Sequence, residues 1–372
     1  MTTNRRSIGQ TFTPRHNALN ALRLFFALMV IVSHSLNIGG YRSEDLWSHT
    51  RIGGLAVNAF FAVSGFLITA AAQRTTVGRY MWHRFLRIFP GFWVCLLLTA
   101  AIAGPIGWLA AHRPLGSYWG PGAHYLVSNS LLMVSAFGID GTPSGIPYPG
   151  RWNDPVWTLS FEFVCYLLVA ALAATALLKR RRVVLLLWLA VWALNGVVRV
   201  THVLDFLDAP VAANVSPLLR FLPIFFAGAV MWLYRDKIPD DPRVFVGALA
   251  VFVGGTFLPD PDVVSGPPLA YVCIWAAIHL PGKRVGSRHD ISYGVYIYAF
   301  VVAQLMALGH LYRWGYLPFT ALTLAISVAL AWLSCVLVEQ PALRMKNWSP
   351  RKDPVNSSAR GQEVVTAQGR RP

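Results

Sequence analysis

The sequence predicts an all-α polytopic membrane protein, a bundle of about ten transmembrane helices plus one re-entrant or interfacial segment. Three observations predict it: an apolar composition, apolar runs near the length of a bilayer span, and basic clusters placed between them. Of 372 residues, 55% are hydrophobic and 13% charged, and the mean hydropathy is +0.49. A soluble chain needs about a quarter of its residues charged to cover its surface. The formal net charge of +16 does not point to nucleic acid, because the cations sit in short clusters between apolar runs, as in the inner loops of membrane proteins.

The runs lie near 18–38, 52–72, 88–110, 156–178, 183–200, 217–234, 243–258, 266–282, 290–311 and 317–338. An eleventh apolar piece, 124–138, is shorter and more polar. The basic clusters are Arg5/Arg6/Arg15, Arg74/Arg79/Arg84/Arg87, the run at 179–182, Arg235/Lys237/Arg243, Lys283/Arg284/Arg288 and Arg344/Lys346/Arg351/Lys352. If all face one side, parity requires that 124–138 does not cross, which leaves both termini in the cytoplasm. The chain divides into a cytoplasmic N-terminal tail (1–17), a transmembrane domain (18–345) and a tail (346–372) rich in Ser, Arg, Pro and Gln that is expected to be disordered. The first run follows a polar tail and has no small-residue cleavage site, so it is read as a retained helix. Cys95, Cys165, Cys273 and Cys335 fall in apolar runs without a CxxC pair, so neither a disulfide framework nor a zinc site is expected.

Few ionisable residues fall inside the runs, Arg23, His34, Glu162 and Arg220 among them. Such groups are expensive at membrane depth and usually line a cavity or pathway. Arg23 and His34 bracket LFFALMVIVS; their spacing is about 16 Å along a helix axis and about 20° around it, so they share a face. Glu162 would lie about 9 Å into its span from the other side, at a depth similar to His34. Each has a plainer reading. His34 could bond a neighbouring carbonyl, and Arg23 could snorkel to the headgroups. A lone buried carboxylate, by contrast, needs a partner or a proton. Asn58, Ser64 and Gly65 lie in VNAFFAVSGFLIT, where small residues also suit ordinary helix packing. Arg84 and Arg87, in RYMWHRFLRIFP, are i and i+3 neighbours near a span's inner start. They suit a phosphate ligand or, equally, positive-inside anchoring. The long connection 112–155 is rich in Gly, Pro and aromatics, a composition common in functional loops.

Together these pieces resemble the membrane acyltransferase-3 family, which O-acylates bacterial polysaccharides, lipid-linked glycans and some macrolides. Arg23 and His34 match its R-x10-H, FFAVSGFLIT at 60–69 its second-span segment, and RFLRIFP at 84–90 its RxxRIxP. WTLSFE at 157–162, SYGVYI and the later VEQP match its remaining signatures. The chain departs from the family at Asn58, often Asp there, at Phe163, often a second acid, and at Ala299, often His.

The resemblance implies an integral-membrane O-acyltransferase of the bacterial inner membrane, moving an acyl group, acetyl by expectation, from acyl-CoA to a hydroxyl. Acyl-CoA would dock from the cytoplasm as co-substrate, its phosphates held by Arg84, Arg87 and Arg23. His34 would deprotonate the acceptor or be acylated in transit, and Glu162 would hold the imidazole tautomer or bind the acceptor. Asn58, Ser64 and Trp157 would line the site. No cofactor or metal is expected, and the partners would be membrane lipid and a carbohydrate, glycolipid or macrolide acceptor. The rival reading is a transporter or flippase using His34 and Glu162 as a proton relay. It would be supported by paired discontinuous helices, which the sequence does not display.

Overall fold

A computed structural model describes residues 6–43, 45–47, 50–206 and 208–347; the part of the expected disordered tail beyond 347 lies outside these. The apolar runs become helices α1 (Leu19–Ile38), α2 (Ile52–Ala72) and α3 (Val77–Leu98), the last continuing through a π-helical turn, Thr99–Ala103, into Gly104–Ala110. A short α4 (Trp119–Asn129) follows, then α5 (Thr158–Ala174), α6 (Arg181–Thr201), α7 (Ala209–Leu233) and α8 (Pro242–Gly255). The bundle is completed by α9 (Pro261–His279), α10 (Ser292–Leu308) and α11 (Tyr316–Ser334). The only sheet among the described residues is a small antiparallel hairpin, Asp45–Trp47 with Thr50–Arg51.

Among the described residues eight helical stretches are long and apolar enough to cross a membrane: α1, α2, α3 with its extension, α5, α6, α7, α9 and α11 with the turns that follow it. The expected spans at 243–258 and 290–311 fall on α8 and α10, of 14 and 17 residues. These rise about 21 and 26 Å against a hydrocarbon core of about 30 Å. Length and composition therefore carry eight of the ten expected spans. Segment 124–138 holds the end of α4 and then irregular chain; the whole of α4 is 11 residues, about half a crossing. It exposes Val127, Leu131 and Met133, as an interfacial segment would, and Trp119 at the start of α4 is exposed as well.

Hydrogen bonds between elements set the order of the two ends. Ala18 N–H donates to the Ala277 carbonyl (2.8 Å), joining the start of α1 to the end of α9. Ile8 and Gly9 donate to the carbonyls of Ile238 and Arg235 (both 2.9 Å), just past α7. Much of the expected N-terminal tail is thus docked, with Ile8 buried in the core. At the opposite end Gly53 N–H donates to Ser33 Oγ (3.0 Å), and Thr50 Oγ1 to the Thr256 carbonyl (2.7 Å). The start of α2 therefore lies level with the end of α1.

α10 runs through the middle. Fifteen of its 17 residues are buried, in keeping with a helix that is apolar all round. α2 and α7 cross backbone to backbone. A Cβ on Gly65 would lie 1.8 Å from the Phe225 carbonyl oxygen, and one on Gly228 2.0 Å from that of Ala62. Only glycine lets the two main chains approach this closely. Gly65→Val should lower stability by about 3 kcal/mol or more, since main chain and not a flexible side chain must move. Thermal unfolding in detergent checks this, with Gly247→Val, where nothing lies within 4 Å of the new Cβ, as the silent control.

Candidate active site

The site is a column of polar groups along α10, beginning at its first turn. Asp290 Oδ2 accepts from Arg23 Nη1 of α1 and Arg87 Nη2 of α3, each at 2.7 Å. Asp290 Oδ1 accepts from Ser292 Oγ (2.6 Å) and Ser292 N–H (3.2 Å). Burial alone would push the Asp290 carboxyl up, but the two guanidiniums and Ser292 outweigh it and hold the group below the usual carboxylate range. Arg87 also reaches Glu339 Oε2 at 3.5 Å, and Glu339 is only 2% exposed. Two of the three arginines expected to meet phosphate therefore already hold carboxylates. Arg84 is different. Among the described residues it has no carboxylate within ion-pair distance; its guanidinium lies 6.0 Å from the centre of the Tyr166 ring, and its Nε is buried without a partner.

One step along α10 is a small cavity, about 40 Å³, lined by Arg23, Phe60, Thr158, Glu162, Tyr293 and Tyr296 among others. Glu162 Oε1 accepts from Ser64 Oγ (2.7 Å) and from Tyr166 Oη (2.5 Å), while its other oxygen accepts from no described donor. Ser64 and Glu162, both expected at the site, are thus bonded to each other. Tyr296 closes the far wall: its hydroxyl bonds Thr158 Oγ1 (2.6 Å) and donates to the Pro155 carbonyl (2.9 Å). Beyond it, Tyr296 and Pro155 also line a second crevice with Val30, His34, Ala299 and Phe300. Its free volume, about 10 Å³, is room for one water. The His34 ring stands edge-on to Phe300, centroids 5.4 Å apart. Ala299 lies where the family pattern often has a second histidine, so His34 is the imidazole lining this crevice.

His34 and Glu162 are not at the same depth, which corrects the expectation. Glu162 lines the Arg23 cavity, seven residues and about 10 Å past Pro155, which lines the His34 crevice. The depth reckoning placed residue 156 at the membrane surface. In fact the preceding loop already dips into the bundle: Trp152 and Asn153 are buried, and Asn153 Nδ2 donates to the Ile297 carbonyl of α10 (2.8 Å). Gln304 of α10 likewise holds the Tyr148 and Arg151 carbonyls (2.9 and 2.7 Å). Glu162 bonds Ser64 and Tyr166, and its crevice shares only Tyr296 with that of His34.

Two other expected lining residues lie elsewhere. Asn58 joins Arg220 and Asp262 in a separate cluster. Trp157 packs in an aromatic layer against Phe161 and Phe221 (centroids 5.5 and 5.9 Å) and lines neither crevice. Sequence reasoning missed Asp290, Glu339, Tyr166 and Tyr296. Asp290 had a signal, an acid at the very edge of a run with no other Asp, Glu, Lys or Arg; Glu339 lies one residue past the end of the run at 317–338. Among the described residues no group of three side chains is arranged to hold a metal, and the four cysteines are buried and free.

An all-helical bundle with an imidazole, a carboxylate and a cationic mouth strung along one buried helix fits an integral-membrane group-transfer enzyme, and the chain's relatives decide for it. A family model described as an acyltransferase domain matches residues 16–335, and the chain belongs to this acyltransferase-3 family. It is similar to an O-acetyl transferase of Shigella phage Sf6, 29% identical over 88% of this chain and 96% of that protein. It is also similar to nodulation protein 10 of Rhizobium leguminosarum bv. viciae, 26% identical over 89% of this chain and 94% of that protein. The acyltransferase MdmB of Streptomyces mycarofaciens is 26% identical over 88% of this chain and 92% of its own length. No solved structure matches the chain significantly. The protein is a multi-pass membrane acyltransferase, and the transporter reading gives way to this.

Proposed function

We propose that the protein moves an acetyl group from acetyl-CoA to a hydroxyl of a carbohydrate, glycolipid or macrolide acceptor at the bacterial inner membrane, with both termini cytoplasmic. The observation that carries this reading is the continuity of the column: Arg23 and Glu162 share one cavity, His34 lines the next, and Tyr296 belongs to both. The Arg23–His34 separation, about 16 Å, suits an extended pantetheine arm. Arg84, without a carboxylate partner among the described residues, receives the donor's phosphates at the cytoplasmic mouth, with Arg23 and Arg87 behind it. The lone oxygen of Glu162 accepts from an amide N–H of the arm. The acetyl choice draws on the name of the phage relative.

In the reaction His34 takes the proton from the acceptor hydroxyl as its oxygen attacks the thioester carbonyl. A C–O bond forms, the C–S bond breaks, and the proton passes to the departing CoA thiolate. Because the cavities are small as they stand, the lining rings, Phe60 and Tyr296 first, must turn to admit the arm. The test supplies labelled acetyl-CoA to inside-out and right-side-out membrane vesicles containing the cell's glycans and lipids. Inside-out vesicles should incorporate label into glycan or glycolipid. No incorporation in either orientation rejects the donor assignment, and incorporation in right-side-out vesicles alone rejects the orientation.

A further inference from the structure

A larger cavity, about 390 Å³, opens at the end of the bundle away from Asp290. It lies at the starts of α2 and α9 and is lined by Asp45, Arg51, Gly54, Arg220, Asp260 and Asp262 with a few neighbours. Its wall includes a closed ring of side chains from three helices. Asn58 Nδ2 donates to Asp262 Oδ1 (2.5 Å), Arg220 Nε lies 2.8 Å from Asp262 Oδ2, and Arg220 Nη2 donates to Asn58 Oδ1 (3.3 Å). The Arg220 guanidinium also covers the Phe221 ring at 5.2 Å. Phe221 stacks on Phe61 (4.2 Å), and Phe61 lines the Glu162 cavity. This ring is the arrangement the donor column does not use. Helix packing alone would be served by apolar side chains, and a guanidinium held within α7 between Pro217 and Pro223 is expensive there.

The lining selects its ligand. Three carboxylates disfavour an anion, two guanidiniums disfavour a cation, and the nearly polar surface disfavours an acyl chain. What remains is a neutral polyol, whose hydroxyls donate to Asp262, Asp260 and Asp45 and accept from Arg220 and Arg51. The volume falls within the range of about 300–1,000 Å³ typical of small-molecule sites. The position suits transfer. Gly54 lines the cavity, its neighbour Gly53 bonds Ser33, and Ser33 precedes His34.

We propose that this cavity is the acceptor subsite and takes a sugar ring as a neutral polyol, held by Arg220 and Asp262 and presented to His34 from the side opposite the donor. The proposal rests on the acetyl-transfer reading above and adds the acceptor's place and chemistry to it. Gly54 supplies the handle. A Cβ there would meet the end of the Arg220 side chain at 3.1 Å and the Arg51 Cβ at 3.8 Å, so Gly54→Leu fills the cavity without striking main chain. The probe is an oligosaccharide pool released from the cell's surface glycans by mild acid, with labelled acetyl-CoA as donor and a glycan-free lipid extract as the second acceptor. Gly54→Leu should raise the pool concentration for half-maximal transfer at least tenfold and leave the acetyl-CoA dependence within twofold. Asp262→Asn should do the same, and Gly247→Leu should change neither. Unchanged acceptor dependence in Gly54→Leu, or a shift in donor dependence instead, overturns the subsite. Transfer by the wild type to the lipid extract alone overturns it too.

A second arm does not depend on turnover. Because the four native cysteines are buried, N-ethylmaleimide should label Leu55→Cys, which borders the cavity, selectively. The oligosaccharide pool should slow that labelling severalfold. Protection in a protein that transfers nothing would support the subsite while rejecting the transfer reading, whereas full turnover without protection would do the reverse.

Discussion

His34→Ala should cut acyl transfer per folded molecule by about 10²–10⁴-fold, the usual contribution of a positioned general base. The loss should fall on kcat at saturating acetyl-CoA, because in the proposed reaction the imidazole meets the acceptor hydroxyl and not the donor's phosphates. The fold should survive. The ring stands against Phe300 beside Val30, Ile31 and Ala299, so its removal leaves a small gap in a mainly apolar wall. A histidine held only for packing would act the other way, lowering abundance and activity together. The measurement is specific activity per folded protein, at limiting and saturating donor. Near-wild-type turnover would end the general-base role of His34.

The shared face of Arg23 and His34 was legible because both sit on one helix, where spacing converts directly into direction. Both do line the column, one in each crevice. The spans were legible for a similar reason, since apolar runs of bilayer length report their environment without tertiary information. Glu162 was misplaced in depth because its level depends on the loop before it. Trp152, Asn153 and Gln304 fix that loop inside the bundle through contacts up to 156 residues apart in the chain. Asp290 was invisible as a partner for the same reason: Arg23 and Arg87 reach it across sequence separations of 267 and 203. Motif matching marked the arginines as a set, and only the packed bundle separates the paired ones from Arg84.

That separation yields opposite outcomes for two neighbours on one helix. Arg87→Ala should destabilise the protein by about 3 kcal/mol, because it leaves Asp290 with Arg23 alone and Glu339 buried beside no cation within ion-pair distance. It should lower the unfolding temperature in detergent, and activity should fall with the folded fraction as well as with donor affinity. Arg84→Ala removes no ion pair, so the folded fraction should stay near wild type while the acetyl-CoA KM rises about tenfold, one charge-assisted phosphate contact. Acid separates the two further. Asp290 is held below its ordinary range by Arg23, Arg87 and Ser292, so its contribution is complete above the ordinary carboxylate pKa of about 4. It fades only as the pH falls from there through the lowered value. Below that point wild type and Arg87→Ala should converge in stability, whereas at neutral pH they should differ most. Equal unfolding temperatures for Arg84→Ala and Arg87→Ala at neutral pH would show that the Asp290 network does not hold the mouth of the column together.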